Sequence, residues 1–263
     1  FLGFVKNLKD HGVNVITVKS STTHNTPDSI FPNNWVSFHK DGTVALYPMF
    51  APNRRLERRD ELINLLKNDY KFKIRNIQDY TSHEKNNLFL EGTGSLILDR
   101  ENMVCYAAIS QRTNMALVLD FCKDFSYSPI CFTAYQTVKN KRLPIYHTNV
   151  MLCIADHYAI VCLAAIDDEL ERENVANSLL KCGKKIIEIS EQQANQFAGN
   201  MLQVLGNKPY LVMSTQAYNS LNNNQIKRIN SFNPVIHSKL NTIEGIGGGS
   251  ARCMIAEIFC SFE

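Results

Sequence analysis

Apolar positions along this chain fall into two rhythms, short strand-sized runs and longer stretches with helical spacing, and the two recur in a fixed order. Residues 35–39 and 43–47 predict two strands joined by the turn Lys40-Asp41-Gly42. Leu56, Leu62, Ile63, Leu65 and Leu66 give residues 54–70 one apolar face and predict a helix, and a strand follows over 72–77. The same sequence of hairpin, helix and strand returns three times. Its second copy has strands at 95–98 and 104–107, a helix over 114–125 and a strand over 129–135. The third has strands at 150–155 and 158–163, a helix over 169–182 and a strand over 185–189. The fourth has strands at 201–205 and 210–213, a helix over 222–230 and a strand that includes Val235 and Ile236.

The hairpin starts Trp35, Ser95, Met151, Leu202 and Cys253 are spaced by 60, 56, 51 and 51 residues. The chain opens on a half-unit, a helix over 1–11 and a strand over 13–18, and ends on the complementary strand over 253–259. Four whole units and two halves imply five modules closed into a ring, because no module buries its apolar face alone and closure removes exposed edges. An open α/β or α+β sheet accommodates the same alternation, and spacing alone gives the ring a modest lead. The expected organisation is one domain over 1–263. The chain opens on Phe1 rather than Met, which leaves room for an upstream strand outside this sequence.

Composition narrows the class. Residues are 44% hydrophobic and 20% charged, and net charge is +3, values ordinary for a soluble globular protein. No apolar run approaches the roughly 18 residues that a membrane span needs, and no secretory signal opens the chain. Basic residues cluster only at 54–59 and 139–142, without interleaved aromatics, which argues against a nucleic-acid partner. The eight cysteines (105, 122, 131, 153, 162, 182, 253 and 260) form no CxxC pair. That pattern predicts a reducing, cytoplasmic setting and no structural metal.

Unusual residues share one place in the repeat, just before the hairpin strands. The segments read Phe31-Pro32-Asn33-Asn34, Glu91-Gly92-Thr93-Gly94, His147-Thr148-Asn149 and Gly247-Gly248-Gly249-Ser250-Ala251-Arg252-Cys253. In a ring of equivalent modules these segments converge at one end of the axis. A carboxylate, an imidazole, a thiol and two amides then surround one cavity. A thiol near an imidazole is an activated nucleophile, and a carboxylate holds the imidazole in one tautomer.

These motifs resemble the pentein superfamily of arginine deiminases, dimethylarginine dimethylaminohydrolases and amidinotransferases, over nearly the whole chain. The resemblance implies an α/β fold, a five-bladed propeller of ββαβ modules. GGGSARCM is similar to the family's nucleophile loop and implies Cys253 as nucleophile. EGTG implies Glu91 as the acidic member of the triad, and the H-x-D-like segment implies His147 as general acid/base. Ser110-Gln111-Arg112-Thr113 and Arg54-Arg55-Leu56-Glu57 resemble the segments whose arginines grip a substrate carboxylate, hence Arg112 and Arg54. Asp28 resembles a residue that contacts the substrate amine.

Two departures inform the substrate. Where deiminases carry two Asp that pair with a guanidinium, this chain has Asn34 and Asn149. A buried guanidinium without counter-ions costs several kcal/mol, whereas carboxamides match a neutral ureido group. FPNNW, LYPMFAPNRRLERR and YHTNVM resemble a citrulline hydrolase (ureidase) subgroup. The expectation is therefore hydrolysis of L-citrulline without a cofactor, with a guanidine substrate as the alternative and a non-catalytic binding scaffold as the rival class. Self-association into a homo-oligomer is left open.

Overall fold

The computed structural model describes residues 1–20 and 23–262. Its fold is mixed α/β with small sheets, and each predicted unit becomes one three-stranded sheet. The first comprises Val36–Phe38, Thr43–Leu46 and Asn76–Asp79, and the second Ile97–Asp99, Val104–Ala108 and Ser128–Phe132. The third comprises Leu152–Ile154, Tyr158–Val161 and Lys185–Glu188, and the fourth Leu202–Leu205, Pro209–Ser214 and Val235–Ser238. In all four the hairpin's second strand is central, antiparallel to the first strand and parallel to the third.

A parallel pair needs a crossover, and helices Asp60–Asn68, Met115–Asp124, Glu169–Lys181 and Asn223–Asn230 supply it. Three of these four helices have side-chain caps at their starts. The side chain of Asn114 accepts from the Ala116 and Leu117 N–H groups, Asp168 accepts from Glu171 N–H, and Asn222 with Gln225 forms a capping box. Central strands such as Tyr158–Val161 are buried along their whole length because both faces are covered.

Three expectations change. The helix over 54–70 is two helices, Pro52–Arg55 and Asp60–Asn68. Glu57 turns inward to Arg54, and Arg58 is drawn to Glu84 and the Tyr47 carbonyl, so residues 56–59 leave the helical path. Tyr135–Val138 and Lys141–Pro144 form a separate hairpin beyond the second sheet. Finally, residues 13–18 and 253–259 do not form ladder strands, because neither pairs in register with a neighbouring backbone among the described residues.

Those two end segments nevertheless join the core. Phe4, Leu8, Val13, Val15, Met254 and Ile255 share a cluster with Tyr210, Val212 and Ile236 of the fourth sheet. Ile16, Ala256 and Ile258 lie against Phe38, Val44 and Ile63 of the first unit. The ends thus bridge the first and fourth units. Among the described residues, no helix is long and apolar enough to cross a membrane.

One buried ion pair fastens the second unit to the third. Lys184 Nζ lies 3.2 Å from Asp99 Oδ2, and both side chains are only 2% exposed. Asp99 also accepts from the backbone and side chain of Asn102, and Lys184 donates to the Asp156 carbonyl. Removing one partner strands the other charge. Lys184→Met should lower unfolding free energy by about 3–5 kcal/mol in urea titrations, and adding Asp99→Asn to that variant should restore a large part of the loss.

Candidate active site

Three of the four unusual segments are tight turns that deliver the chain into a hairpin, and the fourth is the loop that leads to Cys253. Pro32–Asn34 and Thr148–Val150 are single 3-10 turns, and Gly92–Ser95 is one helical turn that packs against both. Glu91 and His147 occupy the same position, the residue immediately before the turn. That equivalence aims both side chains inward. His147 Nε2 lies 2.7 Å from Glu91 Oε2, while Glu91 Oε1 accepts from the Phe50 N–H at 2.9 Å. Arg112 Nη1 stands 3.5 Å from Oε2.

Gly94 is required by this approach. A Cβ there would sit 2.4 Å from Asn34 Nδ2 and 3.1 Å from His147 Nδ1. The imidazole nitrogen that Glu91 does not hold therefore faces the same spot as the Asn34 amide. Thr148 ties the turns together by donating to the Ser95 carbonyl and accepting from the Ala108 N–H.

The nucleophile candidate lies in a turn over 250–254, 6% exposed. Gly248 has φ +69°, a conformation that favours glycine, and its carbonyl accepts from the Tyr146 hydroxyl. Ser250 Oγ donates to Glu244. Asn149 Nδ2 lies 3.4 Å and Asn200 Nδ2 3.2 Å from Cys253 Sγ. Tyr146 marks the convergence: burial first, and then the charges of Cys253 and Glu91, push its phenol up to about 12 against the opposing effect of Arg112.

The remaining expected residues divide. Arg112 is partly exposed between the rings of Phe50 and Tyr146, and its ion pair with Glu91 is loose, so it retains donors for a ligand. Arg54 is placed differently from the expectation. Its Nε and Nη2 hold Glu57 at 3.0 and 2.9 Å, Nη1 donates to Asn34 Oδ1 at 2.9 Å, and Nη2 also reaches the Phe31 and Asp28 carbonyls. Four of the groups around this buried guanidinium are thus the protein's own. Asp28 contributes its carbonyl to that clamp, and its carboxylate makes no hydrogen bond among the described residues. Asn34 Nδ2 donates to the Glu91 carbonyl at 3.4 Å. Asn149 Oδ1 is buried without a partner among the described residues.

Two cavities adjoin these groups. One of about 500 Å³ is lined by Phe50, Arg55, Phe89, Ser110, Gln111 and Asn114, beside Arg112. Another of about 410 Å³ reaches Thr93 and Arg252 from a wall that includes Asp99, Asp156 and Lys184. Neither contains Cys253 or His147, and the geometry of the side chains locates the chemistry better than the size of these hollows.

The sequence reading missed Asn200 and Glu57. Asn200 stands just before the hairpin of the fourth unit, the position that supplied the other candidates, so the repeat itself held the signal. Glu57 lay three residues from Arg54, an ion-pair spacing on a helix.

The model of a family described as eukaryotic N,N dimethylarginine dimethylhydrolase matches residues 1–260. No curated protein sequence matches the chain. Among solved structures, the substrate-bound N-terminal domain of ArgZ, an arginine dihydrolase from the ornithine–ammonia cycle in Cyanobacteria, is 16% identical with TM-score 0.71, covering 98% of this chain and 86% of that one. AgrE with ornithine and NAD+ is 18% identical with TM-score 0.73, and this chain spans 34% of its length. A dimethylarginine dimethylaminohydrolase carrying an S-methyl-L-thiocitrulline adduct is 15% identical with TM-score 0.66, covering 96% of this chain and 85% of that one. At such identities the likeness is one of fold.

The buried pair makes stability depend on acid. Burial lowers the His147 imidazole; Glu91 opposes that, and Arg112 and Arg54 reinforce it. Burial also works against ionised Glu91, but His147, Arg112 and the Phe50 N–H outweigh it and hold the carboxyl near about 2, below its ordinary 4.5. His39 is likewise lowered to about 3 by burial and then Arg100. Below about pH 6.5 the unfolded imidazoles take protons that the folded ones refuse. Stabilisation from Glu91 is present above its unfolded value and disappears as pH falls towards 2. Urea midpoints should therefore be level from pH 8 to 7, decline from about 6.5 and fall further below about 4.5. In His147→Gln the first decline should be shallower.

Proposed function

We propose, on the premise that the chain belongs to the eukaryotic N,N dimethylarginine dimethylhydrolase family within the pentein superfamily, that it hydrolyses L-citrulline to L-ornithine, carbon dioxide and ammonia. The superfamily groups it with arginine deiminase-like enzymes that use a cysteine nucleophile. The observation that carries the citrulline reading is the pair of carboxamides at the reacting groups. Asn149 presents its amide to Cys253 Sγ and keeps Oδ1 unpartnered among the described residues, and Asn34 Nδ2 and His147 Nδ1 both lie beside Gly94. An unpartnered carbonyl accepts an N–H from a ureido group without demanding a positive charge. Arg54, on Asn34, adds no anion for a guanidinium to meet.

In this reading Arg112 holds the substrate carboxylate, stacked between Phe50 and Tyr146. The Asp28 carboxylate is assigned to the ligand amine, and Arg54 fixes Asn34 and the loop around Asp28 instead of gripping substrate. Cys253 Sγ attacks the ureido carbon while its proton passes to His147 Nδ1. His147 delivers that proton to the leaving nitrogen, the carbon–nitrogen bond breaks, and ornithine departs from a thiocarbamoyl-cysteine. His147 then takes a proton from water, whose oxygen attacks the same carbon and restores the thiol. The released carbamate decays to ammonia and carbon dioxide. Glu91 fixes the imidazole by its contact at Nε2 throughout.

The same reading extends to architecture. The end segments, packed between the first and fourth units, form the fifth module of a single five-bladed α/β propeller domain. The rival substrate is a guanidine, suggested by the family's name and by the arginine dihydrolase ArgZ.

Purified protein should release ornithine from citrulline with a higher kcat/KM than any product from arginine or dimethylarginine. Robust turnover of arginine with none of citrulline would defeat the reading. Arg112→Ala should raise KM for citrulline by about 10- to 100-fold with a smaller change in kcat, the effect of losing hydrogen bonds to a charged group. Arg54→Ala should act chiefly on stability, lowering it by about 3–5 kcal/mol because Glu57 is left buried and unpaired.

A further inference from the structure

We infer that Asn200 is part of the reacting centre, holding Cys253 Sγ through a carboxamide N–H and favouring its thiolate form. The inference rests on the proposed cysteine chemistry but not on the identity of the substrate.

The orientation of this amide is fixed by its partners. Asn200 Oδ1 accepts from the Arg252 N–H at 3.1 Å, so that end must be the oxygen. Nδ2 then faces two acceptors, the Asn149 carbonyl at 3.2 Å and Cys253 Sγ at 3.2 Å. Rotating the amide by half a turn would set its oxygen against the Asn149 carbonyl and its N–H against the Arg252 N–H, losing both of those contacts. Asn149 lacks such a lock, since its Oδ1 has no partner among the described residues. Asn200 is therefore the firmly aimed donor of the pair. Its seat is also rigid: it is 2% exposed, and the preceding Gly199 lies so near Val150 that an added Cβ would stand 2.2 Å from the Val150 carbonyl oxygen.

The chemistry gives the contact a purpose. Among the described residues no hydrogen bond joins His147 to Cys253 Sγ; the hydrogen bonds recorded for the sulfur come from Asn149 and Asn200. Hydrogen bonds to an ionised acceptor are roughly twice as strong as neutral ones, so these N–H groups favour the charged sulfur over the thiol.

Alkylation of Cys253 by iodoacetamide tests this without substrate. The full chain is labelled across pH 6 to 9, with rates assigned to Cys253 by peptide mass spectrometry and Cys253→Ser as the blank. Asn200→Asp replaces the donor by an acceptor of equal shape. Its Cys253 should label about tenfold more slowly at pH 7, and the difference should close towards pH 9. Asn200→Ser should fall between the two, and it carries the comparison if the Asp variant fails to fold. A purely structural role would change labelling equally at every pH. Rates within twofold of the parent at pH 7, or a loss independent of pH, would overturn the proposal. Failure to release ornithine from citrulline would overturn the substrate reading while leaving this one standing.

Discussion

The contact between Glu91 and His147 is the constraint around which the molecule is organised. A carboxylate with no exposed surface is tolerable only when its oxygens are occupied, and here the Phe50 N–H, the imidazole and Arg112 occupy them. Those partners come from three units. Phe50 follows the first hairpin, Glu91 and Arg112 flank the second, and His147 precedes the third. The pair can form only when all three are docked, so assembly of the units and assembly of the site are one event.

Charge is arranged with similar economy around the amides. Arg54 and Glu57 form a buried, locally neutral pair, which lets Arg54 orient Asn34 without lending the site a net positive charge. Burial raises the Glu57 carboxyl, and Arg54 works against that rise by hydrogen bond and charge. The sequence resemblance led to Arg54 as a ligand-binding residue. The structure gives it a different physical task, since a guanidinium already held by a carboxylate, an amide and two carbonyls has little left to offer an incoming acid.

Much of this was legible in the sequence, for a definite reason. Strand and helix patterning repeated four times, so the central strands and crossover helices were recognisable from the spacing of apolar residues. The placement of Glu91, His147 and Asn149 just before a hairpin followed from the same repetition. What escaped was whatever depended on a side chain turning against its local pattern. Leu56 to Leu66 read as one amphipathic helix, but the demand of Arg54 for a buried carboxylate pulled Glu57 inward and divided it. Residues 13–18 and 253–259 have strand-like patterning without ladder partners, because pairing depends on a neighbouring backbone that periodicity does not reveal. Asn200 was missed although it holds the same place in the repeat, because an Asn by itself lacks the chemical signature that a thiol, an imidazole or a carboxylate carries.

Polar groups left without partners explain how such a site can favour a ligand. Among the described residues, Asn149 Oδ1 is buried with no partner, and neither amide atom of Asn33 has one. Each such atom costs the fold about 1–3 kcal/mol relative to a satisfied one. The turns that carry these residues are pinned by Thr148, Gly94 and the Arg54 clamp, so the side chains cannot relax towards one another. A ligand that presents an N–H at Asn149 recovers stabilisation that the folded chain forgoes, and it recovers it in only one pose. The scaffold offsets that cost elsewhere, in the apolar clusters of its sheets, so the candidate site residues sit in turns while the strands carry the core.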